Sequence, residues 1–287
     1  MDLIIHPSTK LQFNQIVQNS GHALIVIGSD GIGKTAISQM LITALLDISI
    51  DKLGSHPYYL QISPESNTIS IDTAREIKHF FELKTIGTKR IRRCVLIEHA
   101  ECLTVEAQNA LLKTIEEPPL DSIIVLTVGH EQLLLPTIIS RLQRLTVHRP
   151  KYDVTEKYFS NIINNPKKVS TALAMSNGLP GLMHAILFSE EHPLLLGIEQ
   201  AKSFLKASRF TRLTLIDEYA KQKENLLMFL QALLRISESG LQLAAQKQDN
   251  KGISQWGRIL NAAYKAEQSL LLNTQSKLVL NNLIIEL

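Results

Sequence analysis

The segment "GSDGIGKT", residues 28–35, has the composition and spacing of a loop that binds phosphate, G-x-x-x-x-G-K-[ST]. Its glycines let the backbone curl so that successive N–H groups point at phosphate oxygens. Lys34 would reach the β- and γ-phosphates, and the Thr35 hydroxyl would bind magnesium. A chance match in a glycine-containing turn is the alternative. The predicted nucleotide-binding residues are Gly28, Ser29, Asp30, Gly31, Ile32, Gly33, Lys34 and Thr35.

A second candidate is the pair Glu98–His99, which follows the apolar segment "CVLI", residues 94–97. A buried parallel strand that ends in an acid can present a carboxylate to a phosphate-bound metal. Glu98 would contact magnesium through a water, or have a structural role alone. His99 stands where a general base would act on water, but imidazole is bulkier and differently directed than a carboxylate, so a hydrogen-bonded strand end is favoured. Binding of ATP or ADP with Mg²⁺ is therefore better supported than hydrolysis.

The elements that position these residues alternate in the first half of the chain. Short, β-branched apolar segments predict strands at residues 22–28, 94–97, 122–128 and 143–150. Helical spacing predicts helices at residues 34–46, at residues 72–83 with Asp72 as the N-cap, and from about Thr104 to the proline pair at 118–119. Strands separated by helices imply right-handed crossovers and an α/β fold with a mainly parallel sheet.

The composition changes after Pro150, which predicts three parts. Residues 1–150 form the α/β domain, residues 151–193 read as short helices, and residues 194–287 contain long amphipathic segments typical of a helical bundle. The densest basic run, "KRIRR" at residues 89–93, is interpreted as a solvated loop before a buried strand, although contact with DNA phosphates is the alternative.

The bulk properties of the 287 residues exclude some classes of protein. A net charge of +3 neither proves nor excludes contact with nucleic acid. The start lacks a signal peptide, and no apolar run is long enough to span a bilayer. Two cysteines and nine scattered histidines predict no disulfide framework and no zinc site. A soluble, cytoplasmic protein is expected.

Several segments carry a resemblance to a known family. "NALLKTIEEPP" (residues 109–119) and "LLLPTIISR" (133–141) occur in the expected order after "HPYYLQISPESNTISIDTAREI" (56–77). They resemble the AAA+ clamp-loader subunits of bacterial DNA polymerase III, above all the delta-prime family. The resemblance covers about residues 1–190. It implies an AAA+ P-loop domain at 1–150, a small helical lid at 151–193 and an all-helical collar for oligomerisation at 194–287.

The resemblance also implies roles for single residues. Lys34 and Thr35 match the Walker A positions, while Glu98 and His99 stand in place of the Walker B aspartate and the catalytic glutamate. Thr127 matches the sensor-1 polar residue approximately. Arg141 follows Ser140 as in the family's Ser-Arg-Cys motif, although Leu142 replaces the cysteine. In the family this arginine acts in trans on a neighbour's ATP site; a surface ion pair is the alternative.

Two departures from the family pattern point to a degenerate ATPase. Glu98–His99 is one, and Leu182 in place of the sensor-2 arginine after Pro-Gly is another. The cysteine-rich zinc module is also missing. The resemblance thus implies a delta-prime-like stator that binds ATP, has weak or no autonomous ATPase activity, and helps load the sliding clamp onto primed DNA with the delta and tau/gamma subunits. The alternatives are a tau/gamma-like motor ATPase and a free-standing P-loop DNA-processing protein.

Overall fold

A parallel sheet organises the amino-terminal half of the chain. The computed structural model describes residues 4–64, 68–129, 131–188, 193–272 and 274–287. Within them, five strands form one sheet in the order β2-β3-β4-β1-β5, with every neighbouring pair parallel. The strands are β1 (Ala23–Ile27), β2 (Tyr59–Ile62), β3 (Arg93–Ile97), β4 (Ser122–Val128) and β5 (Gln143–Thr146). The predicted α/β class with a parallel sheet is confirmed.

The helices of this half cover the sheet and connect its strands. They are α1 (Pro7–Gln18), α2 (Lys34–Leu46), α3 (Ile71–Glu82), α4 (Val105–Glu116) and α5 (Pro136–Ile139). The Thr104 hydroxyl caps α4 by accepting a hydrogen bond from the N–H of Ala107. The prediction of Asp72 as the N-cap of α3 is wrong: the helix begins one residue earlier, and Ser70 is its N-cap.

Burial explains why the central strands are so apolar. All seven residues of β4 and all five of β3 are buried, as expected for strands covered on both faces. Ile77 of α3 and Leu111 of α4 complete this core. Each fully buried aliphatic side chain contributes about 1.5–3 kcal/mol to folding before entropy is counted.

The basic run at residues 89–93 matches its interpretation as a solvated loop only in its first part, where Lys89 and Arg90 are exposed. Arg93 belongs to β3 and is buried, and its guanidinium forms an ion pair with Asp121 at 2.7 Å. The same group donates to the carbonyls of Phe81 and Leu83, both at 2.6 Å. Lys89 pairs with Asp47 at the surface. A buried charge requires partners, and Arg93 finds them within the fold. The Arg93 side chain therefore belongs to the core and not to the solvated surface.

The carboxyl-terminal half is helical. The chain separates into two compact units, Met1–Lys151 and Tyr152–Leu287. The second contains α6 (Tyr152–Ile162), α7 (Pro166–Ser176), α8 (Pro180–Phe188), α9 (Pro193–Lys206), α10 (Arg209–Thr214), α11 (Ile216–Tyr219), α12 (Lys223–Gln246), α13 (Asn250–Leu271) and α14 (Ser276–Glu286). Helix α12 packs against both α9 and α13. The division of this unit into a lid and a collar stays a prediction.

Close helix packing in the second unit depends on two glycines. A Cβ at Gly197 of α9 would lie 2.9 Å from the backbone oxygen of Met228 on α12. A Cβ at Gly240 of α12 would lie 2.4 Å from the Trp256 ring on α13. Both helix pairs therefore approach to distances that any larger residue would prevent. In the described residues, no helix combines the length and the apolar character required to cross a membrane.

One short part of the segments that carry the family resemblance, residues 65–67, lies outside the described residues. All predicted site residues are described.

Candidate functional site

The predicted phosphate loop connects β1 to α2. Gly31 and Gly33 adopt positive φ angles of 82° and 101°, a conformation that favours glycine. Ile32 is buried between them and donates its N–H to the carbonyl of Ser29 at 3.2 Å, which fixes the turn. Nothing lies within 4 Å of the position that a Cβ would take at Gly33. The loop is thus a preformed turn with open space at the start of α2, where the helix dipole favours an anion.

The ammonium group of Lys34 already has a carboxylate partner. Its Nζ lies 2.6 Å from Oδ1 of Asp30 and donates to the carbonyl of Gly28 at 2.9 Å. The Lys34 side chain is 6% exposed, while that of Asp30 is 51% exposed. Asp30 therefore neutralises the charge that a phosphate would use, and a bound nucleotide has to displace it.

Thr35 and Glu98, the two residues predicted to face magnesium, meet directly. The Thr35 hydroxyl donates to Oε1 of Glu98 at 2.5 Å, and Ser63 donates a short hydrogen bond to the other carboxylate oxygen. Burial tends to raise the pKa of Glu98, but the hydrogen bonds from Ser63, Thr35 and Gln61 outweigh it and hold that pKa below its ordinary value. An ionised carboxylate beside a hydroxyl is a suitable pair for a hard cation.

Ser63 was not identified from the sequence. It follows β2, which pairs with β3 in a register that places Ile62 beside Ile97. Two strands in parallel register deliver their next residues to the same edge, so Ser63 and Glu98 come together. The two strands are separated by about 30 residues, so the local sequence does not show that they pair. The one local signal was that a polar residue, Ser63, follows β2 directly.

His99 is held by the backbone and by a second acid. It has a positive φ of 47°, and its N–H donates to the Thr127 hydroxyl at 3.1 Å. The ring Nδ1 lies 3.7 Å from Oε1 of Glu101, which also accepts from the N–H of Gly129 at 3.0 Å. The Glu101 carboxylate raises the pKa of His99 above its ordinary value, although burial opposes the shift. A more basic imidazole is more often protonated and is then unable to accept a proton from water.

Asp30, His99 and Glu101 offer ligand atoms that all lie within 4.8 Å of one another. Each carboxylate in this group is already engaged, Asp30 with Lys34 and Glu101 with the Gly129 N–H. The two carboxylates of this cluster, beside the phosphate loop, therefore already have hydrogen-bond partners within the chain.

Arg141 lies immediately after α5 at the protein surface. Its Nη2 is 2.7 Å from Oε1 of Glu116, at the end of α4, and its Nη1 donates to the carbonyl of Thr137 at 2.7 Å. Its side chain is 39% exposed. Leu142, in place of the cysteine expected from the resemblance, is buried. The guanidinium is thus oriented by its own chain while remaining accessible.

The side chain of Gln108 connects α4 to the segment that precedes α5. This residue was not predicted from the sequence. Its side-chain amide is buried, with 3% exposed. Nε2 donates to the carbonyls of Leu103 and Leu133 at 3.1 and 3.3 Å, and Oε1 accepts from the N–H of Leu135 at 2.7 Å. Leu135 is the N-cap of α5. The one sequence signal was an amide beside the apolar stripe of α4.

Comparisons with known proteins identify the family. A profile of the family described as "DNA polymerase III, delta subunit" matches residues 5–151. The chain is 29% identical to DNA polymerase III subunit delta′ of Pseudomonas aeruginosa over 179 residues, 55% of this chain and 53% of that protein. It is 27% identical to the Haemophilus influenzae subunit delta′, over 75% of this chain and 71% of that protein, and 28% identical to the Escherichia coli subunit delta′, over 58% and 54%.

The alignments span about half the length of the P. aeruginosa and E. coli relatives. Among solved structures, a DNA polymerase III gamma subunit-related protein from Thermotoga maritima has the same fold, with a TM-score of 0.50, 21% identity and 96% of each chain covered. The profile match covers more than half of the 287 residues, and the delta′ relatives align with the same region. The chain therefore belongs to the delta-prime family of DNA polymerase III subunits.

Proposed function

We propose that this chain is a stator subunit of a clamp loader, which helps to place a sliding clamp on primed DNA and has the delta and tau/gamma subunits as its partners. The observation that carries the proposal is the accessible guanidinium of Arg141, held on the surface by Glu116. A fixed, exposed arginine at this place fits a group that stabilises charge on the γ-phosphate in a neighbouring subunit.

Nucleotide binding at residues 28–35 is part of the proposal. Thr35 and Glu98 would hold magnesium, Lys34 would contact phosphate oxygens, and the loop N–H groups would surround them. The open space at Gly33 supports this fit. The negative phosphates of a bound magnesium–nucleotide would be attracted by the Lys34 ammonium and by the positive end of the α2 dipole. The Asp30 carboxylate opposes binding, which therefore should be weak.

The geometry at His99 supports a stator over a tau/gamma-like motor. A motor needs a base that accepts a proton from water. His99 instead pairs with Glu101, and this carboxylate raises the pKa of the ring, so that the protonated form gains population near neutral pH. On the second unit, Leu182 is buried on α8 and offers no charge to a phosphate. We therefore propose that the isolated chain has little or no ATPase activity.

The role of Arg141 is tested in a reconstituted clamp loader. Arg141→Ala should lower the ATPase activity of the complex by at least about tenfold, because a finger arginine contributes roughly 10³–10⁵-fold to kcat. Arg144→Ala is the matched control, since it removes another exposed arginine in an ion pair, with Glu131. Circular dichroism of both variants should match the wild type. Full ATPase activity of the Arg141→Ala complex would reject the arginine-finger role.

Partner binding separates the proposal from a free-standing DNA-processing protein. The full chain should co-purify with delta and tau/gamma subunits from the same organism. If no complex forms at micromolar concentrations with either subunit, the clamp-loader assignment fails.

A further inference from the structure

The helical unit contains a cavity of about 490 Å³ that the proposed function does not use. Side chains from α9, α10, α12 and α13 line it, together with Leu287, which follows α14. Four of them are cationic, and among the described lining residues none has an acidic side chain. The cationic residues are Lys202, Lys206, Arg212 and Arg258. Four positive charges converging on one concavity favour an anionic ligand.

Of these four cations, Arg212 is the one with hydrogen bonds to the described part of the chain. Arg212 donates to the carbonyls of Phe204 and Leu205 at 2.9 and 3.0 Å, which satisfies the last turn of α9. The ion pairs in the described part of the chain include neither Lys202 nor Lys206. These two lysines are four residues apart on α9, a spacing at which like charges destabilise a helix. An anion in the cavity would relieve this repulsion.

The remaining lining is mostly apolar, with one amide side chain, Gln255, and one aromatic ring. Trp256 is half-buried, with its indole against α12 at Gly240, and it borders the cavity together with Ile236 and Ile259. A ligand that fills the cavity therefore needs negative charge and an apolar group together. A nucleic-acid backbone is recognised by cations that follow an extended path, whereas these cations surround one concavity with an apolar lining.

We propose that this cavity binds an acidic peptide segment of a partner protein, with one apolar side chain of the peptide against Trp256 and its carboxylates at Lys202 and Lys206. Such a ligand matches both the charge and the apolar lining of the site. All of its lining residues belong to the second unit, Tyr152–Leu287.

Trp256 is the single tryptophan of the chain, so its intrinsic fluorescence reports on the cavity directly. The full chain is titrated with the synthetic peptide Asp-Asp-Glu-Leu-Asp-Phe. We expect a saturable change in Trp256 fluorescence that salt weakens. The double variant Lys202→Glu/Lys206→Glu should raise the Kd by at least about tenfold. The matched control Lys157→Glu/Lys167→Glu changes the net charge equally at exposed lysines outside the cavity and should stay within about twofold.

Three results would overturn the proposal. The first is no saturable change with the wild-type chain. The second is an equal loss of affinity in the two double variants, which would mean that net charge alone attracts the peptide. The third is tighter binding of an oligodeoxythymidylate than of the peptide in the same assay, which would identify the ligand as nucleic acid. Circular dichroism excludes unfolding of either variant as the cause of lost binding.

Discussion

Asp30 and Lys34 form an ion pair inside the phosphate loop, and this pair competes with any nucleotide for the Lys34 ammonium. Asp30→Asn keeps the size of the side chain and removes its charge. The variant should therefore bind nucleotide more tightly than the wild type, for two reasons. Lys34 no longer has to leave an anionic partner, and the phosphates no longer meet a carboxylate in the loop.

The size of the effect follows from the exposure of the two groups. Two unit charges about 4 Å apart interact with about 4 kcal/mol at an effective dielectric constant of about 20. Lys34 is 6% exposed but Asp30 is 51% exposed, so solvent screens much of this energy. We therefore assign about 1–2 kcal/mol to the interaction between Asp30 and Lys34, slightly above the range of about 0–1 kcal/mol for fully exposed ion pairs. The Kd of the nucleotide should then fall by about 5- to 30-fold.

The assay is fluorescence anisotropy of an N-methylanthraniloyl-labelled ADP in the presence of Mg²⁺. Asp51→Asn is the matched control, because it removes an exposed carboxylate outside the loop. Lys34→Ala should weaken binding strongly in the wild-type and in the Asp30→Asn backgrounds. Equal affinities of the wild type and Asp30→Asn would refute the competition. Absence of binding by both chains at millimolar nucleotide would refute the nucleotide site itself.

Three further predictions concern stability. Gln108→Leu leaves the Leu135 N–H and two carbonyls without their partner and should lower the free energy of unfolding in urea by about 2–4 kcal/mol; a loss under about 1 kcal/mol would contradict the buried network. Burial favours a higher pKa for Asp121, but hydrogen bonds from Thr85 and Arg93 and the charges of Arg93 and Arg92 lower it below its ordinary 3.8. The stabilisation by the ionised Asp121 carboxylate is therefore complete above pH 3.8 and is lost as the pH falls through the lower pKa of the folded state. The urea concentration at the midpoint of unfolding should fall over this pH range for the wild type and change less for Asp121→Asn. Gly240→Ala places a Cβ against Trp256 and should cost about 1–3 kcal/mol, whereas Gly257→Ala, with nothing within 4 Å of the added Cβ, should raise the thermal midpoint; equal shifts would contradict the close helix contact.

The sequence predicted those elements whose local residue pattern matches their burial in the folded chain. The helix at residues 34–46 and the strand at residues 122–128 are found with the predicted bounds, because glycines or polar residues end an apolar pattern at each. Helix α1 was not predicted, since only Thr9 and Ile16 are buried and its apolar stripe is weak. The N-cap of α3 was predicted at Asp72 but lies at Ser70, because serine and aspartate are both favoured at N-caps.

The site residues show the same division. Lys34 and Thr35 were predicted from the local spacing of the loop motif, and Glu98 from its position after an apolar segment; the structure brings Thr35 and Glu98 into contact. Ser63 and Gln108 were missed, since their partners come from strands and loops that are distant in sequence. The positive φ of His99 has no local sequence signal, because this conformation is uncommon for every residue other than glycine, although less so for histidine than for most.

The ion pair between Arg141 and Glu116 has a consequence for how subunits associate. If Arg141 acts on a neighbour's active site, as proposed, it first has to leave the Glu116 carboxylate of its own chain, so docking would exchange one partner for another. An exposed pair of this kind is worth only about 0–1 kcal/mol, and the exchange is nearly neutral in energy. The arginine would then contribute little to adhesion and much to selectivity, since only a site with concentrated negative charge can draw it away from Glu116.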